Sequence, residues 1–237
     1  MADHPRGRRL GIFLCWLLLA LSPLAAQDAV NFDNDDWALI AGFETGLRLG
    51  SARPKWEVHN LNLYQRDRNF GRFSSGIGSA EVLRNFGKGQ YLSLRVFFLG
   101  LRGSRNGGLY RLEYQKVWAD KRLAPTVRLI QERLNVQETS TGERVLGTPR
   151  TRVRGGLLPK VLPNTRLAAL FEVFPFQRLG NWREFRTYVG PVHQFTPSFR
   201  VALLHQFRYR DFTEQRRAVQ NAVILVGTVE GVFSGVE

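Results

Sequence analysis

Sulfur is almost missing from this chain of 237 residues: one methionine opens it, and the single cysteine is Cys15. That cysteine sits midway along an apolar run from Leu10 to Leu21, away from the end of the run where a lipid-modified cysteine would stand. Long apolar runs are missing too. Leu10 to Leu21 is too short for a membrane-spanning helix, which needs about 20 residues. The longest uncharged apolar stretches after it, Val96 to Leu101 and Ala222 to Val229, are the size of strands. Lysine is scarce as well: of 34 basic residues, 5 are lysine and 29 arginine. These absences exclude a disulfide framework, a thiolate site and a helical membrane domain.

What is present begins with an address. Arg6, Arg8 and Arg9 precede the apolar run, and Ser22-Pro23-Leu24-Ala25-Ala26 follows it. This is the pattern of a signal peptide. Cleavage is expected after Ala26, leaving a single domain over residues 27–237 without cysteine, exported in a Gram-negative bacterium. The net charge of +14 falls to +12 once the signal's three arginines and one aspartate are removed.

From residue 27 onward the chain returns repeatedly to period-two alternation, the mark of strands with two unlike faces. In the clearest case Trp37, Leu39, Ala41, Phe43, Thr45, Leu47 and Leu49 share one side. Ile40, Gly42, Glu44, Gly46 and Arg48 share the other. Leu109–Val117 and Phe199–Tyr209 alternate as cleanly. Weaker segments are Trp56–Arg66, Ile77–Phe86, Tyr91–Arg102, Thr126–Gln137, Arg150–Leu158, Arg166–Phe174, Trp182–Gly190 and Ala218–Phe233. Turn residues separate them, among them Gly87-Lys88-Gly89, Ser104-Arg105-Asn106-Gly107-Gly108, Pro163-Asn164 and Thr196-Pro197-Ser198. The longest polar stretch is Glu138 to Pro149. The segments number eleven, whereas single-chain bacterial outer-membrane barrels have an even number of strands. The expected fold is therefore all-β, a single antiparallel up-and-down transmembrane β-barrel of about 10 or 12 strands.

Alternation alone does not separate a membrane barrel from a soluble one with its apolar face inward. Bulky aromatic and aliphatic residues on one face, with aromatics near strand ends, favour the membrane. So do glycines mixed with arginine and glutamate on the other, as in a narrow lumen. Arginine in place of lysine fits crowded, paired sites. The candidate lumen charge network is Glu44, Arg48, Arg111, Glu113, Arg128, Glu132, Arg150, Arg152, Arg154, Glu172, Glu184, Arg186, Arg200 and Arg208. Its arginines either attract anions, as rings of Arg do in pores, or pair with the glutamates and close the lumen, because a buried charge needs a partner. Pairing is the expectation.

The stretch from Arg128 to Tyr209 resembles a bacterial family, domain of unknown function 2490, whose members look like short outer-membrane barrels. The pieces are Arg128 with Glu132-Arg133; the alternate Arg150, Arg152 and Arg154 with Leu158-Pro159; Glu172 with Phe174; Arg186-x-Tyr188-x-Gly190; and Gln206. Trp37 opening the first strand and a closing strand up to Phe233 also fit, although Ser234-Gly235-Val236-Glu237 follow where such barrels commonly end on an aromatic residue. The resemblance implies a fold and a compartment, the bacterial outer membrane, and no activity. Outer-membrane lipids and the barrel assembly machinery are the partners it implies.

Other chemistries leave weaker traces. A Ser-His-acid hydrolase acting on membrane lipids would place serine near its histidine. The positions two before and two after His59, His193 and His205 are Glu57 and Leu61, Pro191 and Phe195, Leu203 and Phe207. These histidines are expected in loops or interfaces, and three scattered histidines make no metal cluster by spacing. Asp33, Asp35 and Asp36 lack the glycine and terminal glutamate of a calcium loop. No cofactor is expected. Export argues against nucleic acid, and loops such as Arg102–Arg105 and Arg216-Arg217 suit anionic lipid head groups instead. Two alternatives stand beside the outer-membrane barrel: a membrane-embedded lipid-modifying hydrolase, and a soluble periplasmic barrel with a ligand inside.

Overall fold

The computed structural model describes residues 27–28, 36–49, 56–67, 72–103, 106–119, 122–137, 144–146, 149–175, 183–213 and 216–233. The expected signal segment at residues 1–26, the aspartates Asp33 and Asp35, and the tail from Ser234 to Glu237 lie outside them. So do Trp182, the expected start of the segment up to Gly190, and most of the polar stretch at 138–149. Of the loops expected to meet lipid head groups, Ser104, Arg105 and the side chains of Arg102, Arg216 and Arg217 are likewise outside.

The strands, in chain order, are β1 (Gln27–Asp28), β2 (Asp36–Leu49), β3 (Trp56–Asp67), β4 (Arg72–Gly87), β5 (Gln90–Gly103), β6 (Asn106–Val117) and β7 (Thr126–Gln137). They continue with β8 (Arg144–Leu146), β9 (Arg150–Leu157), β10 (Lys160–Leu162), β11 (Thr165–Val173), β12 (Arg183–Thr196), β13 (Phe199–Thr213) and β14 (Arg216–Phe233). Eleven of them close into a barrel in the order β5-β4-β3-β2-β14-β13-β12-β11-β9-β7-β6, with β6 returning to β5. The short β1, β8 and β10 attach to β5, β7 and β11.

The fold is the expected all-β barrel, and each of the eleven alternating segments corresponds to one barrel strand. Its count falls between the 10 and 12 that parity suggested, and the seam is the physical reason. An all-antiparallel closed barrel needs an even count, whereas an odd count forces one pair to run parallel. That pair is β14 with β2, in unbroken register from Gln220↔Asp36 to Phe233↔Leu49. The barrel is therefore mixed, with every other barrel pair antiparallel.

Local chemistry explains the strand ends. Gly87 and Gly89 take φ values of 82° and 73° around Lys88, which lets β4 turn tightly into β5. The Gly87 N–H donates to Asn85 Oδ1 at 2.8 Å. Along the same rim the turns are stitched together, Val117 N–H to Gly89 O at 2.8 Å, Leu158 N–H to Leu123 O at 2.9 Å and Gln194 N–H to Asn164 O at 2.8 Å. Strand β12 runs past Gly190, where its sequence signal stops, to Thr196. Pro191 has no N–H to give, so the ladder to β13 lapses between Val189↔His205 and Val192↔Ala202 and resumes in the same register. A Cβ on Gly190 would overlap the Leu203 carbonyl oxygen, so only glycine allows this approach.

The seam gives a direct test. Residues 27–237 contain no cysteine, so the pair Ala41→Cys with Leu225→Cys, Cα partners across β2 and β14, should form a disulfide on oxidation. Leu47→Cys with Leu225→Cys, displaced along the strand by roughly 20 Å, should not. Non-reducing electrophoresis after protease cleavage reads the link, and the reverse result would mean that the seam is not parallel in this register.

Candidate functional site: the charged lumen

Register and alternation put the charged residues on the inward face and the large apolar residues on the outward one. Phe98 is 60% exposed on the outside, and Leu94, Leu112, Phe171 and Leu203 are exposed in the same outward parity. Inside, Glu172 is 0% exposed, and Glu132, Arg152 and Glu184 are buried.

One inward wall is built on β9, whose alternate Arg150, Arg152 and Arg154 stand between glutamates of β7 and β11. The ladder sets Arg150 opposite Glu132 and Arg154 opposite Glu172, and β12 then sets Arg186 opposite Glu172. Glu132 holds Arg150 at 2.9 Å, Arg152 at 2.7 Å and Arg111 at 3.3 Å. Glu172 holds Arg152 at 3.0 Å, Arg154 at 2.6 Å and Arg186 at 3.5 Å. Glu184 holds Arg186 at 2.5 Å and Arg208 at 2.7 Å. Aromatic rings support the guanidinium planes: Arg111 lies 4.4 Å from the Phe97 ring centre, Arg154 4.6 Å from Tyr188 and Arg186 5.0 Å from Phe174. The Tyr188 hydroxyl accepts from Gln206 at 3.2 Å. Arg128, beside this wall, pairs with Glu113 at 3.0 Å.

The second wall is formed by β2 to β5 with β13 and β14. Arg95 bonds Glu81 and, at 3.1 Å, Glu44. Glu230 takes Arg48 and, at 3.2 Å, Arg200. His59 Nε2 lies 3.1 Å from Glu57, and its Nδ1 lies 3.9 Å from Glu44. The imidazole has room because residue 46 is glycine: a Cβ there would stand 2.8 Å from the ring.

All fourteen residues of the candidate network lie on the inward face, and each takes part in at least one ion pair. Sequence reasoning missed Glu57, His59, Glu81, Arg95 and Glu230. Their alternation carried the signal, but several of their partners sit on strands far away in the chain. His59 is in neither a loop nor an interface: it is buried in the lumen. His193 and His205 lie in strands and face outward, the first 2.8 Å from Thr165 Oγ1 and the second 3.1 Å from Asn221 Oδ1. Among the described residues no serine hydrogen-bonds any of the three histidines. The scattered residues Glu44, His59 and Glu81 do come together, with ligating atoms within 4.8 Å of one another. These are donors that suit a divalent cation, yet Arg95 already bonds both carboxylates and supplies their positive charge.

The fold and lumen define a class, the closed β-barrel that is charged within and apolar without. No family model, curated protein or solved structure matches this chain.

Glu172 anchors three arginines at once, so Glu172→Gln should destabilise the barrel by about 3–5 kcal/mol, the range for breaking a buried ion pair. Glu113→Gln, which leaves Arg128 its contact with Gln115 at 2.7 Å, should cost less. Urea unfolding followed by tryptophan fluorescence measures both, and an equal or reversed order would mean that the triple contact at Glu172 carries no special weight.

Proposed function

We propose that this protein is exported by its N-terminal signal and spans the bacterial outer membrane as a β-barrel, serving as a structural or binding element or as a narrow channel. One observation carries the proposal: the barrel's polarity is inverted relative to a soluble protein. Charges point in, and aliphatic and aromatic side chains point out in numbers that water would penalise. A bilayer accepts that surface, and a closed barrel leaves no backbone edge in it.

The distribution of aromatic residues supports the same reading. Near the rim where β2 and β14 begin, Trp37, Phe171, Phe185, Phe207 and Tyr209 gather, with Phe185 and Tyr209 stacked at 5.2 Å. Near the other rim stand Trp56, Phe86, Tyr114, Trp118, Phe195 and Phe199. Cations accompany them there: Arg84 lies 5.2 Å from the Trp56 ring centre and Lys116 5.3 Å from that of Trp118. Two aromatic girdles, one of them with basic tips, suit the two faces of a membrane. Eleven strands fall between small barrels that side chains fill and porins that leave an aqueous channel, and paired charges occupy the interior of this one. The outer-membrane-barrel family named from the strand motifs is the proposed kinship.

Expression of the full-length chain in a Gram-negative host tests this. The protein should enter the outer-membrane fraction and migrate differently on a gel before and after boiling, as a folded barrel does. In planar bilayers it should conduct weakly, and Glu172→Gln should raise the conductance by freeing the lumen's arginines. Recovery in the soluble periplasmic fraction would overturn the membrane placement and favour a soluble barrel.

A further inference from the structure

We propose that the arginine-rich wall of the lumen binds a small multivalent oxyanion of the phosphate class. The inference rests on the charge-paired lumen, and not on where the protein resides.

The two walls differ in their charge balance. On the second wall Arg48, Arg95 and Arg200 face Glu44, Glu57, Glu81 and Glu230, and a proton on His59 would bring the set to neutrality. On the first wall, even with Arg208 set aside, five arginines share three glutamates. The arginines are Arg111, Arg150, Arg152, Arg154 and Arg186, and the glutamates are Glu132, Glu172 and Glu184. These side chains therefore carry two positive charges in excess. Confined charge of one sign is costly unless a counter-charge joins it.

Donors without an acceptor lie on this wall, as one does at Arg48 on the second. Arg152 is 3% exposed, and its Nε–H has no acceptor among the described residues; the Nε–H of Arg111 has none either. Both arginines share Glu132 Oε2, so the two free donors belong to one neighbourhood. Phe97 and Phe174 fix the planes of Arg111 and Arg152 at 4.4 and 5.6 Å. Fixed guanidinium forks match the oxygens of phosphate, and they bond several oxygens at once. A monovalent halide would meet neither the excess charge nor the number of donors.

The test titrates the purified full-length barrel, folded as judged by its heat-dependent gel mobility, with inorganic phosphate at ionic strength held constant by chloride. A parallel titration uses short-chain phosphatidic acid, which offers the same group on a lipid. Saturable binding of either is expected, and which one binds identifies a free solute or a head group as the source. Arg111→Gln should weaken it about tenfold, the loss of one charge-assisted hydrogen bond. Arg84→Gln, which removes a positive charge from the outer face, should not. If Arg111→Gln does not fold, Arg150→Gln takes its place at the same glutamate. Absence of saturable binding by the folded barrel, or equal affinity in the lumen and outer-face variants, would overturn the site. A protein that fractionates as soluble yet binds phosphate would remove the membrane placement and leave the site standing.

Discussion

The backbone ladder between β14 and β2 closes the sheet, and the other features follow from that closure. Without it the barrel would have two open edges, each a row of unpaired N–H and C=O groups. The parallel seam also places the start of β2 and the start of β14 at the same rim, while Phe233 ends beside Leu49 at the other. Closure creates an inside, and period-two alternation then sends one face of every strand into it.

Inside, the governing cost is desolvation. A glutamate or arginine removed from water loses several kcal/mol of hydration even after relaxation. Only a close, well-directed partner recovers that loss. Arginine meets the demand better than lysine because its planar fork bonds two carboxylates together, as Arg152 does between Glu132 and Glu172. Glycine is the complementary device: Gly46 yields its side-chain volume to His59, so that the imidazole can stand between Glu57 and Glu44.

Much of this was legible from the chain. The first segment, Trp37 to Leu49, displays both faces of β2, and all eleven barrel strands leave an alternating trace. The arginines of β9 announce themselves by spacing alone. What escaped was of a different kind. Glu230 and Arg48 are 182 positions apart, and nothing local says that they meet. Glu57 and Glu81 look like ordinary strand residues until β3 and β4 set them around His59. The extension of β12 through Gly190 and Pro191 was hidden because proline usually ends a strand, yet the lost donor falls where the ladder can lapse.

The number of alternating segments, the two-faced character of each strand and the charge types that share a face could be read along the chain, because these depend on near neighbours and a period of two. The parallel seam, the pairing of each arginine with its glutamate and the imbalance between the two walls emerge only in the folded barrel. Those depend on register and closure, which bring together residues that are remote along the chain and that no local pattern relates.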